Sequence, residues 1–359
     1  MGLLLLLSTK FTAMLLKKNN SKYWFLCCLP FVVFLFNSCQ PNGDNPDVSG
    51  INLSLEAKRF ERDLFSIDTA LTAEGINRLK NKYGKFFELF VYQITTLGSK
   101  DSVLMIEHFK DFLSDTNFRN IYRDTEKYFG DFNKKNELLT KAFRNYSFYF
   151  QGKPIPEVYT LISGFSFPII CDSLSLGISL DMYMGPSYKY YSTLEPALPN
   201  YLRSRMHDEF MISDAMKGWA QSDYGINEST ARIIDFMIAQ GRLIFFLDKV
   251  LPSTDDTIKT GYSSSQLDWC VANESRIWSF FIENKLLFSI DPNLMNKYVN
   301  DGPTTNGFPK ESPGNIGQFI GWQIVKSFMK KHPEISLRKL MEEKDLMKIF
   351  NESGYKPKK

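Results

Sequence analysis

Two neighbouring stretches, VYTLISGFSFPIIC (residues 158–171) and LSLGISLDMYM (residues 174–184), decide the fold class. They are rich in Val, Ile, Phe, Tyr and Thr, side chains that suit a pleated, half-buried surface. Gly164, Pro168 and Gly177 break them into short strands, and Gly185-Pro186 closes the region. Outward from this centre the pattern becomes helical. Upstream, Ile76, Leu79, Tyr83, Phe86, Phe87, Phe90, Val91 and Ile94 recur at helical spacing and predict one helix over Ile76–Ile94. Val103–Leu113 and Leu138–Phe150 read the same way. Downstream a helical stretch covers about Pro196–Trp219, and Ser229 is placed to cap a helix over Thr230–Leu251 that stops before Pro252. Ser264 or Ser265 opens another, reaching about Leu287. Asn315–Lys331 follows, ended by His332-Pro333, and a last helix runs from a Ser336 cap to Gly354. No internal repeat is evident. The expected class is α+β, predominantly α-helical with a small central β-sheet, in a single domain over 51–355 followed by a basic tail over 356–359.

The first 38 residues read as targeting rather than structure. Lys17, Lys18 and Lys22 form a positive region, and Trp24–Phe36 an uncharged apolar one. That run is well short of the ~20 residues a membrane-spanning helix needs, and Pro30 lies inside it. It ends at Asn37-Ser38-Cys39, a small residue before a cysteine, the arrangement at which bacterial lipoproteins are cut and acylated. A simple membrane anchor and a secreted protein cut elsewhere are the alternatives. Lipid on Cys39 makes the chain anchored rather than spanning. Residues 39–50 then form a tether rich in Pro, Asn, Asp and Gly. Leu3–Leu7 add an apolar patch with no role in this layout, and Met14, followed by Leu-Leu-Lys-Lys, makes a more ordinary start.

Composition removes several function classes. Beyond Cys39 only Cys171 and Cys270 remain, too few for a disulfide-dense scaffold or a multi-cysteine metal site. These two either pair or lie buried separately. A formal charge of +3 over 359 residues, with no basic block, does not suit nucleic acid as a partner. The 31 Phe and 17 Tyr are enough for a substantial aromatic core.

Catalytic groups are sparse. His108, His207 and His332 stand in separate segments, without the two imidazoles one turn apart of a His-Glu-x-x-His zinc site. Within His207-Asp208-Glu209, adjacent helix positions point about 100° apart and do not converge on one ion. There is no nucleophile elbow, phosphate loop or dinucleotide fingerprint, and Ser163-Gly164-Phe165-Ser166 is only turn-like. Pro313-Gly314-Asn315-Ile316-Gly317 opens a helix. Its free amides suit an anion, but Gly317 and Gly321 one turn apart favour close packing. Asn273-Glu274 with Trp278, and Tyr188, Tyr190 and Tyr191 beside Lys189, read first as packed surfaces and second as ligand contacts. No cofactor, metal ligand or catalytic residue is assigned.

Several short strings, taken together, resemble the GldB family of gliding-motility lipoproteins of Bacteroidetes-type bacteria. They run in order from Leu180-Asp181-Met182-Tyr183-Met184-Gly185 through Leu198-Pro199-Asn200-Tyr201, Gly241-Arg242 before Leu251-Pro252, Gly261-Tyr262 and Asn273-Glu274 with Ile277-Trp278. Pro313-Gly314-Asn315-Ile316-Gly317, Trp322 with Ile324-Val325, and the ending from Ile349 to Pro357 complete the series. Upstream, only the signal and Phe60-Glu61-Arg62-Asp63-Leu64-Phe65 contribute, and Phe308-Pro309-Lys310 stands where a longer loop is expected. The resemblance implies an envelope component needed for gliding, and for the secretion apparatus that supports it, without catalytic activity. Its partners would be the membrane, through Cys39, and other gliding or secretion envelope proteins, with the folded domain on the periplasmic side. An envelope hydrolase and a ligand- or glycan-binding lipoprotein are the competing functions.

A weaker resemblance is to zinc metallopeptidases, and implies a degenerate zincin-like scaffold. Its metal-binding string would fall at Ser213-Asp214-Ala215-Met216-Lys217, with Ser213 and Lys217 in place of the histidines, Asp214 at the base position and Glu274 as third ligand.

Replacing Cys39 by Ala removes the acylated thiol. Labelled palmitate incorporation is expected to be lost, and the chain to leave the membrane fraction for the soluble one on ultracentrifugation.

Overall fold

The computed structural model describes residues 46–227 and 229–357. The signal, Cys39 and most of the tether lie outside the described residues, as does the end of the basic tail. A two-residue strand, β1 (Lys58–Arg59), runs straight into α1 (Phe60–Phe65). Then come α2 (Thr72–Tyr83), α3 (Lys85–Leu89), α4 (Ser102–Ser114), α5 (Thr116–Phe129) and α6 (Asn133–Tyr149). The single helix expected over Ile76–Ile94 is therefore broken. Gly84, at φ +50°, ends α2, and a π-type turn over Phe90–Ile94 follows α3. All eight apolar positions named for that helix are nevertheless buried, because each piece turns its own apolar side to the same core. Helix α5 was not among the helices expected, although Phe118, Ile121, Tyr122, Thr125 and Phe129 recur in it at helical spacing. The Asp115 carboxylate starts it by accepting from the amides of Asn117 (2.8 Å) and Phe118 (3.0 Å).

The strands β2 (Glu157–Leu161), β3 (Ile169–Cys171) and β4 (Ser175–Ser179) join β1 in the order β1-β2-β4-β3. The β1–β2 and β2–β4 pairs are parallel, and β3 runs antiparallel to β4. Side chains alternate across a strand, so β2 serves two cores. Tyr159 and Leu161 join the N-terminal helices in one cluster, whereas Val158, with Leu176 and Ile178 of β4, joins the other. Gly177 lies opposite Tyr159, and the Phe86 ring stacks on Tyr159 at 4.0 Å. A Cβ at Gly177 would stand 3.2 Å from Phe86, so glycine leaves space for that stack.

The C-terminal part contains α7 (Asn200–Arg203), α8 (Met211–Tyr224), α9 (Ile233–Val250), α10 (Asp256–Thr260), α11 (Ser264–Ala272), α12 (Glu274–Glu283) and α13 (Pro292–Tyr298). It ends with α14 (Ile316–Lys331), α15 (Leu337–Glu342) and α16 (Leu346–Ser353). The chain is mostly helical with a small mixed sheet, as the α+β reading expects. Four boundaries differ from those expected. Pro196–Trp219 resolves into the short α7 and then α8. Ser229 lies in a turn, and α9 begins after Arg232, whose backbone amide and guanidinium both donate to Asp235. A carboxylate at the third helical position is the stronger, charge-assisted cap. The helix from Ser264 breaks at Asn273, whose side chain donates to the Trp269 carbonyl (2.9 Å). The last helix splits after Glu342, where Arg242 claims the exposed carbonyls.

Helices α9 and α14 cross backbone on backbone. A Cβ at Gly241 would lie 2.2 Å from the Gly321 carbonyl carbon, and one at Gly321 only 1.6 Å from the Met237 oxygen. One residue on, buried Arg242 donates through Nη1 to the carbonyls of Leu340 (3.2 Å), Met341 (3.0 Å) and Glu343 (2.8 Å). It thereby satisfies the C-terminal end of α15. No helix among the described residues is long and apolar enough to cross a membrane.

Gly321→Ala forces two backbones apart and is expected to destabilise the chain by about 3 kcal/mol or more. Gly50→Ala, with open space around it, is expected to change stability by less than about 0.5 kcal/mol in the same urea titration.

Candidate functional site

Helix α8 presents Asp214, Lys217, Gly218 and Gln221 at helical spacing along one side, and these residues line a cavity of about 560 Å³. That volume lies in the range of small-ligand sites. Gly218 brings α8 close to the sheet, since a Cβ there would lie 2.7 Å from Ile169 of β3. The other walls are the loop after β2 with Phe165, the turn carrying Met182 and Tyr183, the segment around Arg205 and Phe210, and the end of α10.

The loop bearing Phe165 is held from beneath by Asp181, which is fully buried. Its carboxylate accepts from the amides of Phe165 (2.7 Å) and Ser163 (3.2 Å). Both Gly164 and Phe165 adopt positive φ, +67° and +63°, and the carboxylate stabilises that turn. Ser163 adds a turn of its own, its hydroxyl accepting from the amides of Ser166 and Phe167. The next turn is tied in by Tyr191, which donates to the Asp181 carbonyl (2.6 Å) and accepts from the Met184 amide (3.1 Å). The tyrosines read from sequence as a cluster are thus packed. Tyr191 is buried, Tyr188 donates to Asp124, and their rings meet at 5.3 Å.

Charge in the cavity is arranged unevenly. Arg205 pairs with Asp301 at 2.5 Å. Lys259 pairs with Asp248 and Asp256, each at 3.0 Å, and Asp248 also accepts from the Trp322 indole. Asp214 accepts from the buried Tyr183 hydroxyl at 3.0 Å. Lys217 has neither a hydrogen bond nor an ion pair among the described residues. Burial pushes the Asp214 carboxyl up and the Lys217 ammonium down, each against the neighbouring opposite charges.

The structure brings together only part of the set drawn from the peptidase overlay. Asp214 and Lys217 share the cavity, and Ser213 is buried beside them without lining it. Glu274 does not line it. Its carboxylate accepts from the Tyr355 hydroxyl at 2.7 Å, and the Trp278 ring meets Tyr355 edge-on at 5.2 Å, so this motif docks the C-terminal segment. The zincin-like overlay therefore finds no support in this arrangement, and no three His, Cys, Asp or Glu among the described residues are grouped to hold a metal. The histidines lie elsewhere: His108 contacts the Leu97 carbonyl, His207 bridges to Met184, and His332 lies near Glu334 and Glu352. Cys171 and Cys270 are unpaired thiols, each pushed up to about 12 by burial. The helix start at Asn315 serves packing. A Cβ at Gly314 would lie 2.2 Å from the Gly302 oxygen, and the Ile316 amide already donates to the Thr305 hydroxyl.

Compared with known families, residues 41–357 match the model described as gliding motility protein GldB. The chain belongs to the GldB family. No curated protein and no solved structure matches it. The strings that carry the resemblance have visible work in this GldB-family chain. Leu180–Gly185 supplies Met182 and Tyr183 to the cavity wall, Gly241-Arg242 makes the helix crossing and caps α15, and Gly261-Tyr262 reaches α14 through the Tyr262 hydroxyl on the Asn315 carbonyl (2.8 Å). Sequence reasoning missed Asp181 as a loop support and Arg205 with Asp301 as a pair. Only the run of Asp214 to Gln221 was open to periodicity.

Burial pushes the Asp181 carboxyl up to about 6, against the pull of the amides it accepts from. The folded chain then binds more protons than the unfolded one between about pH 4 and about pH 6, so this group's contribution falls as pH rises, by up to about 1.4 kcal/mol per unit. Asp181→Asn is expected to flatten the pH dependence of urea stability across that window relative to the wild type.

Proposed function

We propose that this GldB-family chain works as a lipid-anchored, non-catalytic contact component of the gliding machinery and its associated secretion apparatus. Its folded domain stands on the periplasmic side and binds other envelope proteins. The observation that carries the reading is the α8 face. Where a zinc peptidase needs imidazoles one turn apart, the cavity offers Asp214, Lys217 and Gln221. An ammonium there repels a dication, and the residue at the third-ligand position of such a site, Glu274, is engaged with Tyr355. The family places the chain in motility, and the lipobox at Cys39 supplies attachment without a spanning helix.

Deletion of the gene is expected to abolish colony spreading, and complementation with Asp214→Asn to restore it to within about twofold. Asn keeps an acceptor for Tyr183 while removing a general base. About one zinc per purified chain would overturn the non-catalytic reading. Normal spreading on deletion would overturn the role in motility.

A further inference from the structure

Lys217 is the cation lining the cavity that has no hydrogen bond or ion pair among the described residues; Asp301 and Asp214 act on it only through space, so its N–H donors are open to an acceptor. Its neighbours Arg205 and Lys259 are neutralised by Asp301 and by Asp248 with Asp256. One turn before it, Asp214 takes a hydrogen bond only from Tyr183 among the described residues, which leaves acceptor capacity facing the same space. Around this pair the walls are apolar, with Ile169, Met182, Met206 and Phe210. A second hollow of about 320 Å³ adjoins the cavity, sharing Arg205, Phe210, Gly261 and Asp301 with it. The occupant this describes has a carboxylate, an N–H donor beside it, an apolar group, and a length greater than one cavity.

We propose that the cavity binds the free C-terminal end of an extended peptide. The terminal carboxylate sits on the Lys217 ammonium, the adjacent amide N–H donates to Asp214, and the last side chain, an apolar one, rests against Ile169, Met182 and Phe210. The preceding residues pass the Arg205–Asp301 pair into the second hollow. A fatty acid supplies the carboxylate and the apolar body but leaves Asp214 facing hydrocarbon without a donor, which is costly. A free amino acid leaves the second hollow unused. This inference rests on the reading of the chain as a contact component and names the chemistry of one contact.

The test is fluorescence anisotropy with the full acylated chain in detergent. The probes are labelled tetrapeptides ending in Leu, Met or Phe, each as the free acid and as the C-terminal amide. At least one acid is expected to bind about tenfold or more tightly than its amide, the loss of one partly buried charge pair. Lys217→Met should reduce the acid to the level of the amide, and Lys217→Arg should keep most of the preference. Hexanoate, which lacks the N–H, should not compete. The proposal is overturned if no acid binds, if acid and amide bind alike, if a folded Lys217→Met protein keeps the preference, or if hexanoate displaces the peptide. The comparison of acid with amide needs only the wild-type chain, so it stands if Lys217→Met fails to fold. Loss of spreading on gene deletion together with absent peptide binding would sink this inference alone and leave the role in motility intact.

Discussion

The contact of Gly241 with Gly321 is the constraint on which the C-terminal half depends. Two helices meet there with no side chain between them, and α9 is buried along most of its length as a result. Helix α9 in turn packs on α8, and α8 packs on β3 through Gly218. The position of Lys217 in the cavity thus traces back, through two glycine contacts, to a crossing far from it in sequence.

Buried polar groups in this chain are structural ties. Arg242 and Asp181 are each withdrawn from water and bonded mainly to backbone, the guanidinium to three carbonyls and the carboxylate to two amides. Glu61 is likewise buried, and accepts from Arg59 (2.6 Å) and Thr160 (2.7 Å) where β1 enters α1. Partners for backbone groups that helices and turns leave open are what such residues supply, and removing one end of such a tie strands the other. The same logic separates Lys217 from the rest. Among the described residues it alone of the cations lining the cavity has no hydrogen bond or ion pair, with Asp301 and Asp214 acting on it only through space.

The family relation and this geometry bear on different questions. Membership in the GldB family says in which process the chain acts. The cavity, the loop held by Asp181 and the ion pair of Arg205 with Asp301 say what kind of surface it brings. Short strings that look unrelated in sequence, such as Asn273-Glu274 with Trp278 and the closing Gly354-Tyr355, turn out to be two halves of one contact.

By itself the sequence determined the class of the fold and most of what is buried. The apolar periods of Ile76–Ile94 and of the α9 region survive as core positions, and the β-rich centre survives as β2, β3 and β4, because side-chain periodicity reports which face is dry. It did not determine where helices break. Gly84, Asn273 and the end of α15 interrupt continuous patterns, since a break depends on backbone conformation and on distant acceptors or donors such as Arg242. Nor did it determine which charges meet. Asp214 and Lys217 were legible as neighbours on one helix, but Glu274 was drawn elsewhere by Tyr355, and Arg205 found Asp301 across a long span of chain. Such pairings follow from proximity in space, which local spacing along the chain does not encode, and tertiary structure alone decided them.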